Sequence, residues 1–228
     1  MANSDLKTGE IWLLRHGETE WSLSGQHTSR TDIPLTPAGE QRARALGQFI
    51  AGKKFLLVLT SPMARAKNTC ALAGYGERAQ VDPNLMEWDY GDYEGLTTTE
   101  IRRAEPAQNG PAWTIWNSAP KGGESVVQVG ARADRVIATA SAVDGDMALF
   151  GHGHMLRILA ARWLGLDPVQ GQLFALGTGS LSVLGHERGT RVIQQWNFTP
   201  YAQPWHGRRF PLSVRMRPQP LYGCGPIY

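Results

Sequence analysis

Apolar positions along the chain change their period several times, and each change marks an element. Glu10-Ile-Trp-Leu-Leu14 is a short apolar run that ends in Arg15-His16-Gly17-Glu18, the pattern of a buried strand running into a turn. Thr36-Pro37 supplies a helix cap followed by proline at the first helical position. Ala43, Leu46, Phe49 and Ile50 then repeat at helical spacing as far as Gly52. Residues 55–60 form a second strand-like run. Ser61-Pro62 reads as the cap of a helix whose inward positions are Ala66, Thr69, Cys70 and Ala73. Residues 81–96 read as a loop with acidic and aromatic side chains. Within residues 122–141, Val126, Val129, Ala133, Val136 and Ile137 predict another helix. Residues 146–150 form a third strand ending in Gly151-His-Gly-His154, and Leu156, Leu159, Ala160 and Trp163 begin the helix after it. Residues 181–184 and 190–196 form a closing hairpin across Glu187-Arg188-Gly189.

Strands alternating with helices through short connections predict an α/β domain with a mostly parallel sheet covered on both faces. Ligands of such sheets gather at the carboxyl ends of the strands. Three strand-to-helix turns carry unusual polar residues: Arg15-His16, Ser61 to Arg65, and His152-Gly-His154. The domain is expected over residues 1–198. From Thr199 on, Pro200, Pro204, Pro211, Pro218, Pro220 and Pro226 interrupt any periodicity, so the Pro/Arg-rich segment 199–228 is expected to be extended or poorly ordered.

Composition narrows the class. With 42% hydrophobic and 19% charged residues in 228, the chain has the makings of a real core. The two cysteines, Cys70 and Cys224, exclude a disulfide-stapled scaffold. Met-Ala-Asn-Ser-Asp lacks the charged-then-apolar pattern of a signal peptide, and no run approaches the roughly 20 apolar residues of a membrane span. A cytoplasmic protein with no membrane partner is therefore expected. The net charge of +3 suggests a nucleic-acid partner, but Arg208, Arg209, Arg215 and Arg217 carry it. Without them, 19 basic residues face 20 acidic ones, so no nucleic-acid binding is expected of the domain.

A site holding Arg15, His16, Arg65 and His152 would present planar guanidinium forks suited to phosphate oxygens, with imidazoles as further donors or as a nucleophile. No carboxylate cluster beside them suggests Mg²⁺, so neither metal nor cofactor is expected. A phosphoryl dianion fits this set, because phosphoryl transfer asks chiefly for positioning and charge stabilisation. Glu87 or Asp89 could supply the acid for the leaving oxygen.

Leu14-Arg15-His16-Gly17-Glu18-Thr19 resembles the signature of the histidine phosphatase superfamily, also called phosphoglycerate mutase-like. Leu35-Thr36-Pro37-Ala38-Gly39, Ser61 to Ala66, the Glu87 to Gly95 loop and Phe150-Gly151-His152-Gly153 follow in that family's order, covering about residues 9–197. The resemblance implies a three-layer αβα sandwich. It also implies His16 as the nucleophile that becomes phosphohistidine, Arg15, Arg65 and His152 as phosphoryl-binding residues, and Glu87 as general acid and later base. A homodimer is considered by analogy alone.

Within that family, a cofactor-dependent phosphoglycerate mutase is the alternative to a phosphatase. Mutases are expected to hold a second phosphate with a Lys beyond the acid loop and an Arg pair in an insertion. Here Thr98 stands near the Lys position, and residues 109–123 contain Lys121 without an Arg pair. The Trp21-Ser22, Gly25-Gln-His-Thr28, Glu87 to Gly95, Trp113-Thr-Ile-Trp116 and Gly151 to His154 stretches instead resemble a branch with broad-specificity acid phosphatases and sedoheptulose-1,7-bisphosphatase. The expected activity is metal-independent hydrolysis of small phosphate monoesters, sugar phosphates among them. Ser22, Gln26, His27 and Thr28 are read as loop residues that either touch substrate or are solvated. Arg15, Ser22, Gln26, Thr28, Arg65, Tyr90, Gly153 and His154 form the expected substrate contacts. Trp88, Tyr90, Tyr93, Trp113 and Trp116 are expected to wall the cleft.

Overall fold

The computed structural model describes residues 9–106 and 110–200. In chain order the elements are β1 (Ile11–Arg15), α1 (Glu20–Ser24), α2 (Pro37–Phe49), β2 (Leu57–Thr60), α3 (Ala64–Leu72), β3 (Ala79–Val81), α4 (Thr98–Ala104), α5 (Val126–Ala142), β4 (Met147–Gly151), α6 (Gly153–Trp163), β5 (Leu181–Glu187) and β6 (Thr190–Phe198). Short 3₁₀ turns fill several connections. The strands form one sheet in the order β3-β2-β4-β1-β5-β6. β3, β2, β4 and β1 run parallel, while β5 lies antiparallel to both β1 and β6.

Successive strand side chains point to opposite faces, and the sequence exploits this by being apolar at nearly every position. Ile11, Leu13, Leu59, Met147 and Leu149 enter one core with residues of α5 and α6. Leu14, Val58, Ala148 and Phe150 enter the other with Leu46 and Cys70 from α2 and α3. The result is the three-layer α/β sandwich, with the sheet buried between two helical layers. Burial pushes the Cys70 thiol up to about 12, as suits a small core residue rather than a reactive one. Cys224, like the segment from 201 onward, lies outside the described residues. Among the described residues, no helix is long and apolar enough to cross a membrane.

Several expectations need correction. Ser61-Pro62 does not cap α3: Met63 occupies the cap position without a side-chain bond, and the Asp32 carboxylate accepts the Ala64 N–H at 2.9 Å instead. Phe49 is 51% exposed and stacks at the margin on Phe198, leaving Leu46 and Ile50 as the inward residues. The segment read as a loop from residue 81 begins within an edge strand, since β3 pairs Val81 with Thr60. By contrast, Thr36 caps α2 through its hydroxyl, and the hairpin turns through Arg188 and Gly189, both at positive φ, as a two-residue connection requires.

Candidate active site

The register of the central strands assembles the site. β1 and β4 pair Arg15 with Gly151, and the ladder extends one step further as His16 N–H donates to Gly151 C=O at 3.0 Å. β2 pairs Thr60 with Phe150, and Ser61 N–H donates to Phe150 C=O. His16, Ser61 and His152 are therefore neighbours at one end of the sheet, although 136 positions separate the two histidines in the chain. Their ring centroids lie 5.1 Å apart.

The turn after β1 is held by backbone packing. A Cβ on Gly17 would lie 2.4 Å from the Gly39 carbonyl oxygen, and one on Gly39 would lie 2.2 Å from that of Glu18. Only glycine permits this approach of the turn to the start of α2. Glu18 completes the junction by accepting the Thr36 hydroxyl and pairing with Arg42.

The two buried histidines carry their ring protons on opposite nitrogens. His16 Nδ1 lies 2.7 Å from the Gly17 carbonyl, which can only accept, so Nδ1 bears the proton and Nε2 is left bare. Burial, and after it the Arg15 and Arg65 guanidiniums, hold the His16 pKa well below the ordinary imidazole value. His152 is the reverse. Arg65 Nε–H donates to its Nδ1 at 3.2 Å, so the neutral ring keeps its proton on Nε2, 2.7 Å from Ser61 Oγ. Burial, then Arg65, His16 and Arg15, lower its pKa as well.

Glu87 meets the start of α6, where the N-cap residue His152 supplies no capping side chain. Its carboxylate takes over that function. Oε1 accepts from Trp88 N–H and Met155 N–H, and Oε2 accepts from His154 N–H at 3.0 Å. Oε1 thus has both acceptor positions filled, whereas Oε2 keeps one.

A cleft of about 70 Å³ opens here, lined by Arg15, His16, Glu87, Tyr90, Gly153 and His154 on one side and by Thr19, Ser22, Gln26, His27 and Thr28 on the other. Arg15 lies flat against Gly153, where a Cβ would come within 3.2 Å of the guanidinium carbon, and it also donates to the Leu176 carbonyl. Tyr90 Oη and His154 Nδ1 share a hydrogen bond of 2.6 Å. Burial drives their pKa values apart, raising that of Tyr90 and lowering that of His154, so both stay neutral.

Arg65 and His152 stand behind this wall rather than on it. Arg65 is fully buried, and besides His152 it donates to the carbonyls of Thr28, Ser29 and Thr31. Several loop residues on the opposite side spend their polar atoms on one another: the Ser22 hydroxyl closes a capping box with Thr19, Gln26 donates to the Gly95 carbonyl, and Thr28 donates to the Gln26 carbonyl.

The expected aromatic wall is corrected. Of Trp88, Tyr90, Tyr93, Trp113 and Trp116, only Tyr90 lines the cleft. Trp88 and Trp113 are core residues, and Tyr93 and Trp116 pack against that core. Large rings gain more by full burial beneath the loop than by facing a polar cleft. Thr19, outside the expected set, also lines the cleft; its place directly after the Arg-His-Gly-Glu motif is the sequence signal that points to it. Among the described residues, no group of three or more His, Cys, Asp or Glu side chains could hold a metal ion. His152 and His154, two residues apart, turn to different partners.

Residues 11–199 match the model of the histidine phosphatase superfamily, branch 1. An acid phosphatase of Mycobacterium tuberculosis is 38% identical over 203 residues, covering 87% of this chain and 97% of that protein. The sedoheptulose 1,7-bisphosphatase of Saccharomyces cerevisiae is 38% identical over 181 residues, 68% of this chain and 67% of the yeast protein. Among solved structures, the product of a Mycobacterium tuberculosis open reading frame superposes with a TM-score of 0.78 at 38% identity, covering 85% of this chain and 99% of the other.

Proposed function

Because the chain belongs to the histidine phosphatase superfamily, we propose that it hydrolyses small phosphate monoesters, sugar phosphates among them, through a phosphohistidine at His16. The observation that carries this reading is the His16 tautomer. Its Nδ1–H is tied to the Gly17 carbonyl and its depressed pKa keeps the ring neutral, so Nε2 presents a lone pair within the cleft.

In the first step Nε2 attacks phosphorus and the bond from phosphorus to the ester oxygen breaks. Arg15 on the wall, with Arg65 behind it, supplies positive charge against the phosphoryl oxygens. His152 offers its Nε2–H when a phosphoryl oxygen takes the place of Ser61 Oγ, its acceptor in this structure. The departing alkoxide takes a proton from Glu87, whose Oε2 retains the open position needed to carry one. In the second step water attacks phosphorus and gives a proton to Glu87. The P–N bond breaks, its electron pair returns to His16, and inorganic phosphate leaves. No step calls on a metal ion. Ser22, Gln26, Thr28, Tyr90, Gly153 and His154 border the remainder of the substrate.

Phosphate release in EDTA from p-nitrophenyl phosphate, 3-phosphoglycerate, fructose-1,6-bisphosphate and sedoheptulose-1,7-bisphosphate tests this reading. The wild-type chain is expected to turn over at least one of them, and folded His16→Ala is expected to lose roughly a thousandfold or more in kcat, the scale of a lost nucleophile. Phosphate release retained by His16→Ala would sink the mechanism. Interconversion of phosphoglycerates stimulated by 2,3-bisphosphoglycerate, in place of phosphate release, would replace the hydrolase with a mutase.

A further inference from the structure

Helix α3 reaches His152 and the turn that follows His16 from beneath the cleft. Arg65 and Thr69 are four residues apart and so share one helix face; both are fully buried. Arg65 reaches His152, as described. Thr69 reaches the nucleophile's turn, where its Oγ1 lies 3.0 Å from Gly17 N and 2.7 Å from the Arg65 carbonyl.

The proton count fixes the direction of these bonds. The hydroxyl has one hydrogen, and the Arg65 carbonyl can only accept it. Toward Gly17 the hydroxyl therefore accepts, taking the Gly17 N–H. The carbonyl of that same glycine accepts His16 Nδ1–H at 2.7 Å. Gly17 is thus pinned by Thr69 through its N–H and by backbone contact with Gly39. What it offers His16 is a carbonyl oxygen in a fixed place.

We propose that Thr69 is a positioning residue for His16: its hydroxyl holds the Gly17 main chain so that the Gly17 carbonyl keeps the imidazole in the tautomer with a bare Nε2. The proposal rests on the reading of His16 as the nucleophile. Loss of the hydroxyl strands a buried N–H, and the turn must shift to satisfy it. The carbonyl then no longer favours one ring nitrogen, and molecules with the proton on Nε2 cannot attack.

The full chain carrying Thr69→Val, which keeps the shape and removes the hydroxyl, is compared with Thr69→Ser, which keeps the hydroxyl. Two readouts are used: kcat and KM for p-nitrophenyl phosphate, and the ¹⁵N chemical shifts of the His16 ring. Thr69→Val is expected to lower kcat by about tenfold or more while KM moves by less than about threefold. The ring signals are expected to pass from one tautomer to a mixture. Thr69→Ser is expected to stay close to wild type in both. If Thr69→Val does not fold, Thr69→Ala takes its place with the same readouts. Wild-type kcat and an unmixed tautomer in the valine or alanine variant would overturn the proposal. So would equal damage from Thr69→Ser, which would assign the effect to packing of the methyl group. A dead His16→Ala beside an unaffected Thr69→Val rejects only the role of Thr69, whereas an active His16→Ala rejects the nucleophile itself.

Discussion

The two ends of the sheet are built from the same strands and helices, yet they differ in what they can do. At the amino end, a cavity of about 200 Å³ is lined by Ile11, Met147, Trp163, His186 and Arg191. It is larger than the cleft of about 70 Å³ at the carboxyl end. Its polar groups work separately: Arg191 lies over the Trp163 ring, whose edge meets His186, and the Trp163 N–H goes to the Val192 carbonyl. At the carboxyl end, helix starts and strand ends converge on a small volume. Main-chain donors of α6 hold Glu87, a main-chain carbonyl holds His16, and Arg65 holds His152. The two ends differ in how their polar groups converge, and the larger volume lies where they converge less.

After the loss of His16 itself, Arg65→Lys should break the carboxyl end most severely. A single ammonium cannot serve His152 Nδ1 and the carbonyls of Thr28, Ser29 and Thr31 together. Leaving such buried acceptors unpaired costs about 3 kcal/mol. Expressed in the transition state, that is roughly a hundredfold in kcat/KM for p-nitrophenyl phosphate. A folded Arg65→Lys with wild-type kinetics would show that the buried fork is dispensable.

A second, intermediate effect sharpens the comparison through stability. His16, His152 and His154 all have pKa values held well below 6.5 in the folded chain, chiefly by burial. Below pH 6.5 the unfolded chain takes up protons that the folded one refuses. Their contribution is therefore fully present above pH 6.5 and is lost as pH falls below it. Each histidine adds a slope of at most about 1.4 kcal/mol per pH unit in that window. Thermal unfolding between pH 7.5 and 5 should show a falling midpoint, and His154→Gln should flatten the fall. A midpoint independent of pH across this range would mean that these rings protonate freely in the folded state.

The smallest effect belongs to the amino end. His186→Ala should leave kcat and KM within about twofold of wild type, because single changes distant from a site are nearly independent of it. A tenfold loss would mean that the larger cavity communicates with the chemistry.

The sequence was most legible where a local rule applied. Thr36-Pro37 marked the start of α2, and Arg188-Gly189 marked the hairpin. The apolar runs marked β1 and β4. Arg15, His16, Glu87, Gly153 and His154 were all named from motifs at element boundaries, and all border the cleft. Short elements escaped. β3 has three residues and no alternation to read. α1 spans five residues, too few for helical periodicity, whereas the helical pattern around Arg102 and Arg103 does fall in α4, whose start Thr97 and Glu100 mark with a capping box. The aromatic residues of the acid loop misled, because a ring in a loop can be a core residue of the layer beneath it.

By itself, then, the sequence determined the alternation of strands and helices, the ends of the strands at which polar residues cluster, and the chemical types gathered there. Those follow from local periodicity, capping and turn chemistry, which act over a few residues. Only the tertiary structure decided which nitrogen of each histidine carries its proton, which oxygen of Glu87 remains open, and that Arg65 stands behind the cleft wall. The His16 proton is set by the carbonyl of the next residue, but the other features rest on partners far away in the chain, as Glu87 on Met155 across 68 positions and Arg65 on His152 across 87. Such pairings exist only after burial has removed water as the competing partner.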